Sequence, residues 1–205
     1  MDEIAPGFWH WTATHPNLGK RVSSYGFERG RALVDPMVPE GGLRALDRLG
    51  WQPERIIMSC RHHWRGIGEL AARYDCEVLC NEAGLHEFRD GREVAGFEPG
   101  DQLADGVLAI GIDALSPDET ALHLDAGPGA LCIADGIIRD AAGELAFVPD
   151  PLLGDDPQAV KRDITGAFQL ALANAPPFEY LLFAHGDPLL DGGRQALADF
   201  VGSAR

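Results

Sequence analysis

Apolar residues occur along the chain in two kinds of pattern, short continuous runs and longer stretches with a helical period. The short runs are bounded by turn residues such as glycine and proline, which is typical of strands. They predict strands over 7–11, 22–27, 31–34, 56–58, 77–80, 107–112, 120–124, 130–134, 137–138 and 180–184.

Helices are predicted where apolar residues recur at three- and four-residue spacing, over 43–49, 67–74, 82–88, 160–171 and 197–201. Gly50 is suited to end the first of them, and Asp156 followed by Pro157 to begin the fourth. The chain therefore predicts strands, then α/β units, then strands, then α/β units again. Two such halves, each a sheet with helices on its outer face, make an α+β fold, a four-layer αββα sandwich. We find no internal repeat or long linker, and predict one domain over 1–205.

Composition narrows the range of partners. The 205 residues are 45% hydrophobic and 24% charged, which is ordinary for a globular protein. They carry 17 Lys+Arg against 32 Asp+Glu, a formal net charge of -15. Such a field repels phosphate backbones and anionic membrane surfaces, so we expect no nucleic-acid or membrane partner. The first residues lack a basic start and an apolar run, which favours a cytoplasmic location with the four cysteines as reduced thiols.

Candidate chemistry is concentrated where the predicted strand 56–58 runs into a loop containing thiol, guanidinium and imidazole groups. Loops at the carboxyl ends of buried strands are where α/β proteins place function. His62 is the strongest candidate in this loop. His63 would point the opposite way on an extended segment and serve a supporting role. Cys60 has three open interpretations: a metal ligand, a reactive thiol, or a small buried hydrophobic residue.

At this loop the sequence resembles the metallo-β-lactamase-fold superfamily, in particular its glyoxalase II-like hydrolases, which carry Thr-His-x-His-x-Asp-His-x-Gly-Gly where this chain has 59–68. Three other segments are similar to family motifs and occur in the family's order. Segment 32–36 is similar to an early strand ending in an Asp turn. Segment 132–136 is similar to the strand ending in the Asp that bridges two metals. Segment 183–188 is similar to a late His-Gly segment that supplies a ligand.

The departures from the family motif fall on its metal ligands. Aligned with that motif, Cys60 replaces the first His and His62 matches the second. Trp64 stands in place of the Asp and Arg65 in place of the third His, while Leu115 lies nearest to a further missing His. A Trp side chain cannot ligate a metal, and an Arg is always protonated and only donates.

The resemblance therefore implies a reduced metal site. The remaining ligands would be His62, Asp135 and His185, with Cys60 as an additional thiolate. This set would hold at most one divalent ion, zinc or iron, and a dinuclear zinc site is not expected. Arg65 would place a fixed positive charge beside Asp135 and pair with it in place of the second ion. Asp135 has further interpretations as a metal bridge or as a turn cap.

The family's hydrolase chemistry implies cleavage of a small ester, thioester or lactone, with His62, Asp135 and Arg65 as catalytic residues. The alternative is a non-catalytic protein that kept the fold, lost the metals and binds a small anion or serves a regulatory role. Metal-free thiol chemistry at Cys60 is a third possibility. In each case we expect a small-molecule ligand, anionic in character, and a homo-oligomer is compatible with all three. His123, alternating with leucines on a predicted strand, is interpreted as a half-exposed strand residue.

Overall fold

The computed structural model describes residues 1–203. The first sheet contains seven strands that neighbour one another in chain order. They are β1 (Asp2–Ala5), β2 (Phe8–Thr14), β3 (Arg21–Phe27), β4 (Ala32–Val34), β5 (Arg55–Ile57), β6 (Glu77–Asn81) and β7 (Ala95–Phe97). Strands β1 to β4 pair antiparallel, and β4 to β7 pair parallel.

The second sheet has five strands. They are β8 (Gln102–Ala104), β9 (Val107–Gly111), β10 (Thr120–Leu124), β11 (Ala130–Ile133) and β14 (Tyr180–Phe183). Their spatial order is β14, β11, β10, β9, β8, with β11 and β14 parallel and the other pairs antiparallel. A separate hairpin joins β12 (Ile137–Arg139) to β13 (Leu145–Phe147).

Each half of the chain contributes two helices. They are α1 (Leu43–Leu46), α2 (Ile67–Tyr74), α3 (Pro157–Asn174) and α4 (Gly193–Ser203), with 3-10 turns at Asp47–Leu49, Arg61–Trp64, Glu82–Phe88 and Asp150–Leu152. As predicted, Asp156 caps α3, its carboxylate accepting from the Ala159 amide at 2.9 Å. None of the helices within 1–203 combines the length and the apolar character that a bilayer crossing requires.

Strand alternation explains how the layers form. On β11, Leu131 and Ile133 belong to the apolar cluster beneath α3 and α4, whereas Ala130 and Cys132 face the other sheet. The first sheet divides its residues in the same way, with its outer cluster packed against α2. Successive side chains on a strand point to opposite faces, so each sheet contributes to two cores. The predicted four-layer αββα sandwich is confirmed.

Local differences from the predictions have physical reasons. The short edge strands β1, β7 and β8 and the hairpin strand β13 were not predicted, because three- or four-residue segments leave little periodicity to detect. Segment 82–88 is a 3-10 turn rather than an α-helix. It passes so close to its neighbours that a Cβ at Gly84 would lie 3.0 Å from the Cys80 sulfur.

The two sheets are joined by polar contacts at the end where the candidate residues lie. The Tyr25 hydroxyl donates to the Phe183 carbonyl at 2.9 Å and accepts from the Phe183 amide at 3.1 Å, deep between the sheets. The Ser23 amide donates to the Ala184 carbonyl at 2.9 Å. Since β4 and β5 are parallel in one sheet, and β11 and β14 in the other, their carboxyl ends meet at this edge.

Candidate metal centre

Three strand ends bring nitrogen and oxygen donors to one point. The Nε2 atom of His63, after β5, lies 3.1 Å from Oδ1 of Asp135, after β11. The Nε2 atom of His185, after β14, lies 3.1 Å from the same Asp135 oxygen. Cys60 adds a sulfur, because one donor atom each from Cys60, His63 and Asp135 all lie within 4.8 Å of one another. We call Cys60, His63, Asp135 and His185 the candidate cluster.

Behind the cluster, Asp35 fixes the orientation of His63. The Asp35 carboxylate follows β4 and is 1% exposed. It accepts from the Ser59 amide at 2.9 Å and from the Ser59 hydroxyl, and its Oδ2 lies 3.0 Å from Nδ1 of His63. When a carboxylate binds one ring nitrogen of a histidine, the other nitrogen is the one that faces a metal. In His63 the atom presented to Asp135 is therefore Nε2.

The buried charges balance one another. Burial and the Arg65 guanidinium both lower the pKa of His63, but the Asp35 and Asp135 carboxylates outweigh them and raise it to about 9. Burial alone would raise the pKa of Asp135, yet His63 and His185 hold it well below its usual range. In the same way the pKa of Asp35 stays below its ordinary value, because His63 outweighs the cost of burial. Without a cation, His63 is therefore a protonated imidazolium between two carboxylates.

Cys60 lies at the start of the 3-10 turn, where its sulfur accepts from the His62 amide at 3.4 Å. Burial and the Asp135 carboxylate raise the pKa of this thiol far above its ordinary value, so the free protein keeps it protonated. A thiol, an imidazole and a carboxylate are the donor types that zinc and iron accept in proteins. The donor set thus fits one cation, and the neighbouring His185 supplies a fourth group.

The structure brings His63 to the cluster and leaves His62 outside it. The His62 side chain is exposed. Burial of part of its surface and the positive charge of Arg61 both lower its pKa. The expectation that His63 points away assumed an extended segment. The loop instead forms a 3-10 turn over Arg61–Trp64, in which adjacent side chains are not opposed.

Arg65 does not pair with Asp135, so that prediction is wrong. Its Nη1 donates to the backbone carbonyls of Ser23 at 2.9 Å and Asp35 at 3.0 Å. Asp135 is instead satisfied by the two histidines. The Arg65 backbone has φ of 29°, outside the region that L residues usually adopt, and this directs the side chain toward β3. Among the residues that the structure describes, its buried Nη2 has no hydrogen-bond partner.

Trp64 and Leu115, which stand at other ligand positions of the family motif, contribute no donor side chain. The Trp64 ring packs 5.6 Å from the ring of Phe88, and the Arg92 guanidinium lies over it at 4.9 Å. Its role is therefore packing beneath the loop. His123 lies on β10 as predicted, but it is buried rather than half-exposed, because its Nε2 lies 3.1 Å from the Pro177 carbonyl.

Two acidic residues that the sequence reasoning missed lie buried beside the cluster. Asp118 is 0% exposed and forms an ion pair with Arg61. Glu119 is 1% exposed, and burial raises its pKa to about 7 against the opposing effect of the Gly136 and Leu115 amides. The available signal was three polar residues, Asp-Glu-Thr, at the start of an otherwise apolar strand.

Comparison with known proteins gives structural matches alone. No family model and no curated protein sequence matches the chain. A metallo-beta-lactamase with a HARLDQ motif from Cronobacter sakazakii is 18% identical, has a TM-score of 0.69, and is matched over 100% of this chain and 90% of that one. A metallo-beta-lactamase from Hirschia baltica is 17% identical at a TM-score of 0.67, over 100% and 96% of the two chains.

A protein solved in a di-iron-bound form is 21% identical at a TM-score of 0.67, over 91% of this chain and 96% of that one. Together these likenesses establish that the chain has the metallo-beta-lactamase fold. The candidate cluster lies at the edge of this fold where the loops of both halves meet.

Proposed function

We propose that the chain is a hydrolase that uses one divalent cation held by the candidate cluster. The observation that carries the proposal is the approach of two imidazole Nε2 atoms, from His63 and His185, to one oxygen of Asp135 at 3.1 Å each, with the Cys60 sulfur beside them. Four donors from three separate loops converge here. A convergent set of this composition matches a single tetrahedral zinc or iron site.

A second cation has no comparable support. Trp64 and Leu115 offer no ligand atom, and the Arg65 guanidinium stays positively charged close to Asp35. A fixed positive charge close to Asp35 opposes the binding of a second divalent ion. We therefore propose at most one metal per chain.

When bound, a divalent cation would polarise a carbonyl and lower the pKa of an attached water. The chain's own residues have separate tasks. Asp35 holds the ring of His63, and Asp135 is the acceptor between two histidines. His62 is exposed, and burial and the Arg61 charge lower its pKa, which favours the neutral imidazole; it is our proposed group for exchanging protons with solvent.

The substrate class that we propose is a small ester, thioester or lactone. The named structural neighbours include two metallo-beta-lactamases, and the sequence motifs resemble those of hydrolases of the same fold, which supports an acyl substrate. An activated water beside a neutral histidine suits attack on an acyl carbon. The net charge of -15 directs the choice toward small substrates rather than polyanions.

The test is metal content and hydrolysis measured together. Protein purified without an affinity tag and without added metal should carry close to one zinc or iron per chain by elemental analysis and native mass spectrometry. A panel of small esters, thioesters and lactones should include at least one that is hydrolysed and protected by chelation. Asp135→Asn should lower that activity by about a hundredfold or more, since it replaces an anionic ligand by a neutral amide.

His123→Ala is the matched control, because His123 is a buried histidine on a strand away from the cluster. It should keep the metal and the activity. Two metals per chain, or hydrolysis that is indifferent to both chelation and Asp135→Asn, would contradict the proposal.

A second candidate, a small-anion-binding protein without metal, is favoured by one observation. The Nη2 atom of Arg65 is buried with no hydrogen-bond partner among residues 1–203. A buried guanidinium nitrogen without an acceptor is costly, and a carboxylate or phosphate oxygen would satisfy it. This candidate predicts that acetate or phosphate raises the melting temperature of chelated wild type but not of Arg65→Gln. Equal responses of both proteins would reject it.

A further inference from the structure

We propose that Asp118 and Glu119 are positioning residues that hold two of the three loops of the candidate cluster in place before a metal binds. Asp118 accepts a backbone amide of the loop after β5, and Glu119 accepts one of the turn after β11, so the donor groups stand preassembled. We call residues 118–120 the clamp. Its functional consequence rests on the proposed metal centre, whereas the contacts themselves join protein groups alone.

Asp118 fixes the loop that follows β5. Its Oδ2 accepts from the Arg61 amide at 2.6 Å, and its Oδ1 pairs with the Arg61 guanidinium. Arg61 lies between Cys60 and His63, so its amide sets where the 3-10 turn begins. The Asp118 side chain is 0% exposed, so a lost partner could not be replaced by bulk water.

Glu119 fixes the turn that follows β11. Its Oε1 accepts from the Gly136 amide at 2.7 Å, and its Oε2 accepts from the Leu115 amide at 3.1 Å. Gly136 directly follows Asp135, and a Cβ at this glycine would lie 2.9 Å from Oε1 of Glu119. A larger residue here would have to displace this carboxylate, which ties the backbone beside Asp135 to a buried acceptor.

Thr120 completes the clamp on the first loop. Its amide donates to the Ser59 carbonyl at 2.9 Å, and its hydroxyl accepts from Nδ2 of Asn81 at 3.1 Å. Three consecutive residues, the first residue of β10 and the two before it, thus hold both the loop after β5 in the first sheet and the turn after β11 in the second. Fully satisfied buried polar networks of this kind specify one geometry.

The contact of Glu119 with Leu115 links the clamp to the proposed metal centre. Leu115 stands where the resemblance places a ligating histidine, and its amide is bound by Glu119 instead of its side chain binding a cation. A cation that joins two loops must otherwise order them when it binds. With the loops already joined, that ordering cost is removed before the cation arrives, which strengthens binding.

Amide exchange in chelated protein tests the positioning directly. Glu119→Gln should speed exchange at Gly136 and Leu115 by about tenfold or more while leaving Arg61 unchanged, because the buried acceptor of these two amides is lost and that of Arg61 is kept. Asp118→Asn should do the reverse. The control is Thr165→Val, which removes a hydroxyl bound at 2.7 Å to the Lys161 carbonyl in α3 and should change none of these three amides.

Zinc affinity, measured by competition with a chelator, supplies the readout that a merely structural role would not move. Glu119→Gln and Asp118→Asn should each weaken binding by about tenfold, in the range of residues that orient metal ligands. Thr165→Val should not, even where it lowers the melting temperature. In an Asp135→Asn background, Glu119→Gln should weaken zinc binding no further, since it acts through Asp135. If Glu119→Gln fails to fold, the shorter Glu119→Asp replaces it in both assays.

The outcomes separate the two proposals. If wild type binds neither zinc nor iron, the metal centre is rejected and amide exchange alone decides on the clamp. Exchange that stays unchanged at the predicted amides in the folded variants would overturn the clamp. If wild type binds zinc, variants that bind zinc as tightly as wild type would also overturn the clamp.

Discussion

Asp35 and Asp135 are both carboxylates in contact with the same imidazole, yet their surroundings differ. The Asp35 side chain is 1% exposed and is held by the backbone and hydroxyl of Ser59 as well as by His63. The Asp135 side chain is 23% exposed and contacts two histidine rings. The inner carboxylate is fixed by groups that no ligand can displace. The outer one is held by side chains that a cation could take over.

The difference predicts which substitutions should change folding stability and which should change ligand binding. Around Asp35 the partners are the buried Ser59 and His63, of which only His63 belongs to the candidate cluster, so a change there should act mainly on folding. Around Asp135 the partners are also the candidate ligands, so a change there should act mainly on binding. The predictions below test that division.

The largest effect is expected for Asp35→Asn. The substitution leaves the His63 imidazolium without its fully buried counter-charge, and breaking one member of a buried pair costs about 3 to 5 kcal/mol. Urea unfolding of chelated protein at neutral pH should show this loss. Asp125→Asn is the control, because its side chain is 60% exposed and its ion pair with Arg29 should contribute about 1 kcal/mol or less. Comparable losses in the two variants would refute the role assigned to Asp35.

A smaller effect is expected from pH. The folded-state pKa of His63 is raised from 6.5 to about 9, so the folded protein binds this proton more tightly than the unfolded chain does. The stabilisation is fully present below pH 6.5 and is lost as the pH rises through 9. Glu119, with its pKa raised to about 7, has the same sign but loses its contribution between pH 4.5 and 7.

Between pH 7 and 9 the loss from His63 should be about 2 kcal/mol of unfolding free energy in chelated wild type. The four cysteines, whose pKa burial raises from 9, each add a smaller loss as the pH approaches 9. His63→Gln should remove the part due to His63, so its stability should fall by about 2 kcal/mol less than that of wild type. A wild-type profile that is flat or rises across this window would contradict the protonated imidazolium.

Periodicity and motif order were enough to predict the αββα sandwich, because strand alternation and helical spacing are local properties of the sequence. They were also enough to bring Cys60, Asp135 and His185 into one cluster, since these residues follow strands whose ends meet. The orientation of His62 and His63 was not accessible in this way. It depends on a 3-10 turn anchored by Asp118, which is 57 residues from Arg61 in the chain.

Arg65 illustrates a second limit. Its charge and its place in the motif suggested a carboxylate partner, but a positive φ turns the side chain toward two backbone carbonyls. Backbone carbonyls carry no sequence signal, so a guanidinium that binds them cannot be distinguished beforehand from one that binds an acid. Glu119 was missed for the corresponding reason, because both of its partners are amides.

The smallest stability effect is expected for Asp135→Asn in chelated protein. The amide oxygen can still accept from one histidine, and Asp35 still compensates the charge of His63, so the loss should be about 1 to 2 kcal/mol, the value of one charged hydrogen bond.

A double-mutant cycle with Asp35→Asn sharpens the comparison. With both carboxylates gone, His63 has no counter-charge and is expected to lose its proton, so the double variant should lose less than the sum of the single losses. Strict additivity would mean that the two carboxylates do not act on the same imidazolium, and a loss for Asp135→Asn equal to that for Asp35→Asn would remove the distinction between the inner and the outer carboxylate.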